Sequence, residues 1–161
     1  MTMERPSWGR ASDILVAEGF PDAPVYLNAF GEGDEQALLT IPLRVQAAWA
    51  NNSARDWADI FSENGGAMID DQFLLGRETI YKYMIDGFSG DYRGASVTGS
   101  SLFTQFLSDD VALLVTEGGT LMAGEAELPP ENLVRNIWVI VREAEGKLSL
   151  LSHQSSPVMG V

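Results

Sequence analysis

The sequence contains no cysteine and a single histidine, His153 in the stretch SLLSHQSSP. The absence of cysteine excludes disulfides, thiolate metal sites and cysteine nucleophiles. With one histidine, a metal site would have to be built from carboxylates, and no Asp/Glu spacing resembles a calcium loop. No Gly-x-Ser-x-Gly elbow is present, and the glycine-rich GEGDEQ lacks the preceding strand of a dinucleotide motif. The sequence therefore predicts neither a metal nor a cofactor.

Positive charge is also scarce, with 10 Lys and Arg against 23 Asp and Glu and a formal net charge of -13. Such a chain repels phosphate backbones and anionic lipid, so we expect no nucleic-acid or membrane partner. No apolar run approaches the ~20 residues of a membrane span, and no apolar stretch of signal-peptide length follows MTMERPSWGR. We expect a cytoplasmic protein, and its 161 residues fit one domain.

Residues 1–33 differ in character from the rest of the chain. The prolines of RPSW and FPDAPVY and the turn-prone FGEGDE interrupt any periodicity, which predicts an extended N-terminal arm ahead of a domain at 34–161. The arm is rich in aromatic residues, so we expect it to lie on the domain or on a partner subunit. These residues are Trp8, Phe20, Tyr26 and Phe30.

Helical spacing begins at Asp34, in a helix that is kinked at Pro42 or begins near it. A second short helix follows, capped by Asn52 or Ser53, then a hairpin around residues 70–72 and a third helix in GRETIYKYMIDGFSG. Long strands are predicted near 92–107, 110–122, 132–143 and 147–157. Three helices on one side of a strongly curved, mostly antiparallel sheet make an α+β domain.

Two of these strands, VALLV and NIWVIV, are apolar at successive positions and do not alternate. A half-solvated antiparallel strand alternates, so the sheet face away from the helices is expected to be covered as well. The cover is a second subunit or the N-terminal arm.

The order of elements and several strings resemble the nuclear transport factor 2-like superfamily and its SnoaL-like members. The strings are VQAAWANNSARDWADIFSENGGAMI, LLGRETIYKYMIDGF, VALLVTEGG and RNIWVIVREAEGKLSLLSHQSS. Within it, the chain is similar to the SgcJ/EcaC group, which includes proteins associated with enediyne antibiotic gene clusters. The resemblance covers about residues 34–157. It implies a cone-shaped α+β barrel, a homodimer through the outer sheet face, and an apolar cavity.

The resemblance further implies an accessory role with a polyketide or polyene intermediate in antibiotic biosynthesis. Within the superfamily the same cone serves isomerases, dehydratases, cyclases and noncatalytic binding modules, so the fold alone does not give the function. Three alternatives stay open: a proton-transfer enzyme, a noncatalytic carrier or chaperone, and an assembly module for biosynthetic enzymes.

Charged residues of the strands and turns supply few candidates for chemistry. The pairs Asp70-Asp71 and Asp109-Asp110 are interpreted as solvated turns. Arg135, in an apolar strand, requires a partner, and Glu117 on the neighbouring strand is one. The two form an internal structural ion pair, or Arg135 anchors an anionic group of a ligand.

The cavity wall is predicted from aromatic residues and from breaks in the strand pattern. Gly118-Gly119 interrupts an apolar strand, which indicates either curvature or a ligand close to the backbone. Tyr83 could also donate a hydrogen bond through its hydroxyl. The ligand-binding candidates are Tyr83, Phe88, Phe103, Gly119, Asn136, Trp138 and Gln154.

The orientation of His153 depends on the last hairpin. A two-residue EG loop places His153 opposite Trp138, and a three-residue AEG loop places it opposite Ile137. One of His153 and Gln154 therefore faces the cavity, and the sequence leaves open which. If the protein is catalytic, His153 or Glu117 is the base, and Arg135, Tyr83 or Gln154 stabilises an oxyanion.

Overall fold

The computed structural model describes residues 7–19 and 33–159, which form four α-helices and one six-stranded sheet. The helices are α1 (Ala11–Ala17), α2 (Asp34–Ala50), α3 (Ala54–Ile60) and α4 (Arg77–Ser89). The strands are β1 (Phe61–Ile69), β2 (Gln72–Leu75), β3 (Ser96–Phe106), β4 (Val111–Leu121), β5 (Val134–Arg142) and β6 (Leu148–Pro157). The predicted α+β class is confirmed, with one more helix than expected.

The first two segments predicted as helices after residue 33 are helical in the structure. The first is α2, which continues through Pro42. The second, α3, is capped by Ser53, whose Oγ accepts a 3.1 Å hydrogen bond from the backbone N–H of Asp56. Asn52, the other predicted cap, has a left-handed φ of 46° and donates from its side chain to the carbonyl of Ala95. Asn52 thereby ties the end of α2 to the segment that enters β3.

The strands lie in the order β2-β1-β6-β5-β4-β3. β3 to β6 form the predicted antiparallel meander, and β1 and β2 form the predicted hairpin. In addition, β1 pairs with β6 in parallel, which joins the hairpin and the meander into a single sheet. This pairing puts β6, with His153, in the interior of the sheet.

The two faces of the sheet differ in what they contact. The inner face carries the buried side chains of Leu114, Ile140 and Leu150, which belong to the same core as the helices. On the outer face, Ile137 and Phe103 are about half exposed, at 47% and 48%. β4 and β5 thus present apolar residues on both faces, as their sequences predict.

Residues 7–19 cover part of the predicted N-terminal arm, and they are not extended throughout, because Ala11–Ala17 form α1. A helix of two turns is too short to show a periodicity in sequence. Trp8 is buried in the core with its ring edge against Phe106, at a centroid distance of 5.5 Å. Glu18 pairs with the buried Arg44 of α2 at 3.3 Å. The predicted contacts of Phe20, Tyr26 and Phe30 lie outside the described residues.

None of the helices in the described ranges combines the length and the apolar character needed to cross a bilayer.

Candidate functional site

A cavity of about 670 Å³ lies between α2, α3 and the inner face of the sheet. Three tryptophans form much of its wall, Trp49 of α2, Trp57 of α3 and Trp138 of β5. A cavity of this size suits a small organic molecule. Polar residues of the lining come from α2, from the sheet, from the β1–β2 turn and from the connections before β3 and before β5. They include Gln46, Asp70, Asp71, Tyr92, Thr116, Glu131, Asn132, Asn136 and His153.

The position of His153 is set by a three-residue turn followed by a bulge. The turn is the short 3₁₀ segment Ala144–Gly146, and near it Ile140 lies opposite Leu150. Leu151 is then an extra residue in β6, so that His153 lies opposite Trp138. The loop is therefore the longer of the two predicted, whereas the pairing at His153 is the one predicted for the shorter loop.

His153 faces the cavity, where it is 91% buried, since its relative exposure is 9%. Its ring lies 4.2 Å from the ring of Trp138 and 5.9 Å from that of Trp57, which stands nearly perpendicular to it. Burial lowers the pKa of His153 to about 4, and an interaction with the backbone of Ile137 offsets this only in part. The imidazole is therefore neutral at neutral pH.

Two polar atoms of this wall are buried without a hydrogen-bond partner among the described residues. They are Nδ1 of His153 and Nε1 of Trp57. Buried polar atoms are nearly always paired in folded proteins, and leaving one unpaired costs about 1–3 kcal/mol. Both side chains line the cavity, and their unpaired ring nitrogens lie just below its surface, so a polar group of a ligand reaches them when the two rings turn.

A row of hydrogen bonds crosses the inner face beside His153. Thr116 Oγ1 accepts from Trp138 Nε1 at 2.9 Å and from Asn136 Nδ2 at 3.2 Å. Asn136 Oδ1 in turn accepts from the hydroxyl of Ser155. These bonds fix the orientations of the Trp138 ring and the Asn136 amide in the lining. Asn136 and Trp138 lie in the cavity wall, where the sequence predicts them.

The mouth of the cavity is closed on one side by the β1–β2 turn. Asp70 and Asp71 form the turn with left-handed φ values of 51° and 64°. The Asp70 carboxylate accepts from Tyr83 Oη at 2.9 Å and from Tyr92 Oη at 2.6 Å. Burial and the nearby Asp70 raise the pKa of Tyr83 to about 12 and raise that of Tyr92 further, so both hydroxyls keep their protons. The interpretation of Asp70-Asp71 as a turn is confirmed. The Asp70 carboxylate also orients the hydroxyl groups of two tyrosines.

Glu117 and Arg135 lie outside the cavity lining. The two residues pair directly across β4 and β5, with Arg135 Nε 2.9 Å from Glu117 Oε2. Glu117 follows the inward-facing Thr116, so its side chain is on the other face, and the Arg135 side chain is 60% exposed. The predicted pairing of the two residues is confirmed, but the ion pair lies on the exposed outer face and is not internal as predicted. These positions do not support the predicted role of Glu117 as a base or that of Arg135 in binding an anionic group of a ligand.

Three aromatic candidates for the wall are also placed elsewhere. Phe103 lies on the outer face opposite Val115, and Phe88 packs behind Trp49 at a centroid distance of 5.0 Å. Tyr83 is not part of the lining and reaches it only through its bond to Asp70. A bulge between Ser101 and Phe103 turns Phe103 to the outer face, and α4 packs against α3 and β1. Neither feature can be obtained from local spacing.

Gln154 and Gly119 belong to the lining for different reasons. Gln154 is exposed and borders the cavity on the strand end next to His153. A Cβ on Gly119 would collide with the carbonyl oxygen of Asn132, and one on Gly118 would collide with that of Thr98. The glycine pair is thus required by the close approach of the protein's own backbone on both sides.

Asp70, Tyr92 and Thr116 are among the lining residues that sequence reasoning missed. Thr116 carried a usable signal, since it is a polar residue at an inward position of an otherwise apolar strand and lies opposite Asn136. Asp70 and Tyr92 are 22 positions apart and carried no local signal. Within residues 7–19 and 33–159, no three His, Asp or Glu side chains are grouped as a metal site would require.

Comparisons with known proteins bear on the fold. Neither a family model nor a curated protein matches this sequence. Among solved structures, a domain of unknown function with a cystatin-like fold from Nostoc punctiforme is similar at a TM-score of 0.72. Its identity is 20%, over 80% of this chain and 79% of that chain.

Two structures from Novosphingobium aromaticivorans are similar as well. One is an NTF2-like protein with a cystatin-like fold, with a TM-score of 0.66 and 13% identity over 80% of this chain and 84% of that one. The other is named "Putative Scytalone Dehydratase", with a TM-score of 0.63 and 16% identity over 78% and 84% of the two chains. At these identities the likeness is one of architecture, and this chain has the cystatin-like fold of NTF2-like proteins.

Proposed function

We propose that this protein binds a small, largely apolar molecule in the cavity and holds a hydroxyl group of that molecule between Trp57 and His153. The observation that carries the proposal is the pair of unpaired, buried ring nitrogens on the cavity wall. The two rings lie with their centroids 5.9 Å apart. Once they turn toward the cavity, a hydroxyl that accepts from the indole N–H of Trp57 and donates to Nδ1 of a neutral His153 pairs both nitrogens. The tryptophan wall provides the apolar contact.

Proton transfer at the same site is a second candidate, favoured by the protonation state of His153. A neutral imidazole is the form that accepts a proton, and a pKa of about 4 keeps it neutral through the physiological range. The same low pKa makes it a weak base, because efficient general bases titrate near the working pH. Binding therefore ranks before catalysis, and an isomerase or dehydratase activity requires the ligand to raise the basicity of His153.

The ligand class implied by the sequence resemblance stays a prediction. A polyketide or polyene intermediate, a place in enediyne biosynthesis and the relation to the SgcJ/EcaC group rest on that resemblance alone. An apolar conjugated molecule with a hydroxyl group is compatible with the tryptophan wall. The predicted cytoplasmic location likewise rests on the sequence.

Binding is tested with two probes that differ in one hydroxyl, 9-anthracenemethanol and 9-methylanthracene. Quenching of tryptophan emission or calorimetry gives both dissociation constants. We expect saturable binding of both, with the alcohol about tenfold tighter, which corresponds to one or two net hydrogen bonds. His153→Phe keeps an aromatic ring, removes Nδ1 and should abolish the preference for the alcohol.

Ser152→Ala is the matched control, because Ser152 directly precedes His153 in β6, is exposed and lies outside the cavity lining. It should retain the preference. Absence of saturable binding by either probe contradicts the proposed function. A preference that survives in His153→Phe contradicts the role of His153 and leaves binding in place. Turnover of a bound molecule would favour the enzyme over the carrier.

We also propose that the outer face of the sheet contacts a second copy of this chain. Strand register aligns one residue from each strand into a row across this face, here called the outer row. Five of its six members are apolar, and several are about half exposed or more. From β2 to β3 the outer row is Phe73, Met68, Gln154, Ile137, Val115 and Phe103.

Exposed apolar surface that spans a whole sheet is typical of an interface. Light scattering during gel filtration should give the mass of a dimer for the native chain and of a monomer for Ile137→Lys. A monomeric native chain contradicts this proposal and favours an interface with another protein, as an assembly module would use.

A further inference from the structure

Polar residues form a row across the inner face of the sheet, with one member from each of the strands β3, β4, β5 and β6. Strand register pairs them directly across neighbouring strands, and all of them belong to the cavity lining. Residues that pair in this way point to the same face of a sheet. From β3 to β6 this set, here called the inner polar row, is Ser101, Thr116, Asn136 and Ser155.

The hydrogen bonds within the inner polar row all run toward β3. The Ser155 hydroxyl donates to Asn136. The Asn136 amide and the Trp138 indole both donate to Thr116 Oγ1. A hydroxyl has two acceptor positions and one proton, so these two bonds fill the acceptor capacity of Thr116 and leave its own proton at the end of the chain of bonds. Because successive hydrogen bonds polarise one another, this proton is a stronger donor than that of an isolated hydroxyl.

The Thr116 proton has no acceptor in the part of the chain that the structure describes, although the residue is only 5% exposed. The Ser101 hydroxyl, opposite Thr116 on β3, likewise makes no hydrogen bond to residues 7–19 or 33–159. Residues opposite each other on antiparallel strands have Cβ atoms about 4.5–5.5 Å apart, so one oxygen atom can lie within reach of both hydroxyls. Two donors without an acceptor in the described protein therefore border one place in the cavity.

We infer that Thr116 and Ser101 bind the carbonyl oxygen of a ketone ligand, which accepts a hydrogen bond from each hydroxyl. This inference rests on the proposed binding function and names its ligand class. A carbonyl oxygen has two lone pairs and no proton, which matches two donors on adjacent strands. A carboxylate oxygen is disfavoured, because the chain has a net charge of -13 and no lysine or arginine of the described residues lines the cavity.

The carbonyl site is separate from the hydroxyl site at His153. The Trp138 side chain lies between them, since its Nε1 donates to Thr116 and its ring lies 4.2 Å from that of His153. His153 is two strands and two residues away from Thr116, which corresponds to about 12 Å between their Cα atoms. A ligand that fills both sites is a hydroxyketone of several fused rings. A simple ketone has no proton to donate to Nδ1 of His153, so it tests the carbonyl site alone.

The test uses two probes that differ in one carbonyl group, 9-acetylanthracene and 9-ethylanthracene, titrated at pH 7 by quenching of tryptophan emission. In the native chain we expect the ketone to bind about tenfold tighter, as one or two net hydrogen bonds provide. Ser101→Ala removes one of the two donors and should reduce this preference to about threefold. Ser96→Ala is the matched control, because Ser96 is also partly buried in β3 and lies outside the cavity lining. It should leave both affinities unchanged.

Thr116→Val keeps the shape of the side chain, removes the hydroxyl and should abolish the preference for the ketone. It also deprives Asn136 and Trp138 of their acceptor, so Thr116→Ser is the companion variant. Thr116→Ser keeps the hydroxyl and should retain the preference. The affinity for 9-ethylanthracene shows in each variant whether the apolar wall is intact.

Each other result overturns the inference in a distinguishable way. Equal binding of the two probes by the native chain, or a preference unchanged by Thr116→Val or by Ser101→Ala, removes the carbonyl site while the cavity still binds 9-ethylanthracene. A preference that Ser96→Ala reduces as much as Ser101→Ala also overturns it. If neither probe binds to the native chain, the proposed function fails and this inference fails with it.

Discussion

The inner and outer faces of the sheet differ in chemistry even where adjacent residues of one strand supply them. In β5, Asn136 and Trp138 hold hydrogen bonds to Thr116 in the cavity wall, whereas Arg135 and Ile137 are exposed on the other face. The outer face carries an ion pair beside a row of apolar residues, and the inner face carries hydrogen-bonded polar groups and the unpaired Nδ1 of His153 among tryptophans. The alternation of a strand therefore separates residues that can contact a ligand from residues that can contact another protein.

The largest expected difference between the faces is in stability. Ile140 and Ile137 are in the same strand, with Ile140 fully buried on the inner face and Ile137 47% exposed on the outer face. Ile140→Ala leaves a cavity in the core and should lower the free energy of unfolding by about 2–5 kcal/mol. At protein concentrations low enough for the chain to be monomeric, Ile137→Ala should lower it by about 1 kcal/mol or less, as for other half-exposed positions. Urea denaturation of both variants measures the two values.

The costs of these two substitutions also show whether a second copy of the chain covers the outer face. If Ile137→Ala costs as much as Ile140→Ala, and the cost rises with protein concentration, the outer face is buried by a second copy. Equal costs of the two substitutions at all protein concentrations would show that Ile137 is as buried as Ile140 within one chain. That result would contradict its position on the exposed outer face.

The next effect concerns the dependence of stability on pH, which the buried histidine should dominate between pH 7 and 5. The pKa of His153 is 6.5 in the unfolded chain and about 4 in the folded one. Below pH 6.5 the unfolded state takes up a proton that the folded state does not, so stability is full above pH 6.5 and falls with pH. Between pH 7 and 5 the free energy of unfolding should decrease by about 2 kcal/mol.

His153→Phe should remove most of this decrease, and the exposed substitution Gln154→Leu should not. Proton NMR provides a direct check, because a chain with one histidine gives one imidazole signal. A signal that titrates near 6.5 in the folded protein would show that the ring is solvated and would remove the basis for its orientation toward the cavity.

Much of the fold could be predicted because its signals are local. Helical spacing, the cap at Ser53 and the turns at Asp70-Asp71 and Asp109-Asp110 are each contained in a few residues. The parallel pairing of β1 with β6 is not local, since it joins segments almost 90 positions apart, as in Ala67 with His153. Helix α1 was missed because seven residues do not establish a period.

The site was harder to predict, because it depends on which way each strand faces. Leu151 decides the orientation of His153, and an extra residue in a strand leaves no mark in an apolar sequence. Glu117 and Arg135 were correctly paired, but their face depended on the same alternation. Tyr92 and Asp70 meet only through tertiary structure, which no spacing in the chain indicates.

The smallest expected effect is that of the ion pair on the outer face. Glu117 and Arg135 are 2.9 Å apart, but their side chains are 30% and 60% exposed, so solvent and salt weaken the attraction. A double-mutant cycle with Glu117→Gln and Arg135→Gln should give a coupling below about 1 kcal/mol. Neither variant should change the affinity for 9-anthracenemethanol, because neither side chain reaches the cavity. A loss of binding comparable to that of His153→Phe would place this pair in the ligand site and would contradict the separation of the two faces.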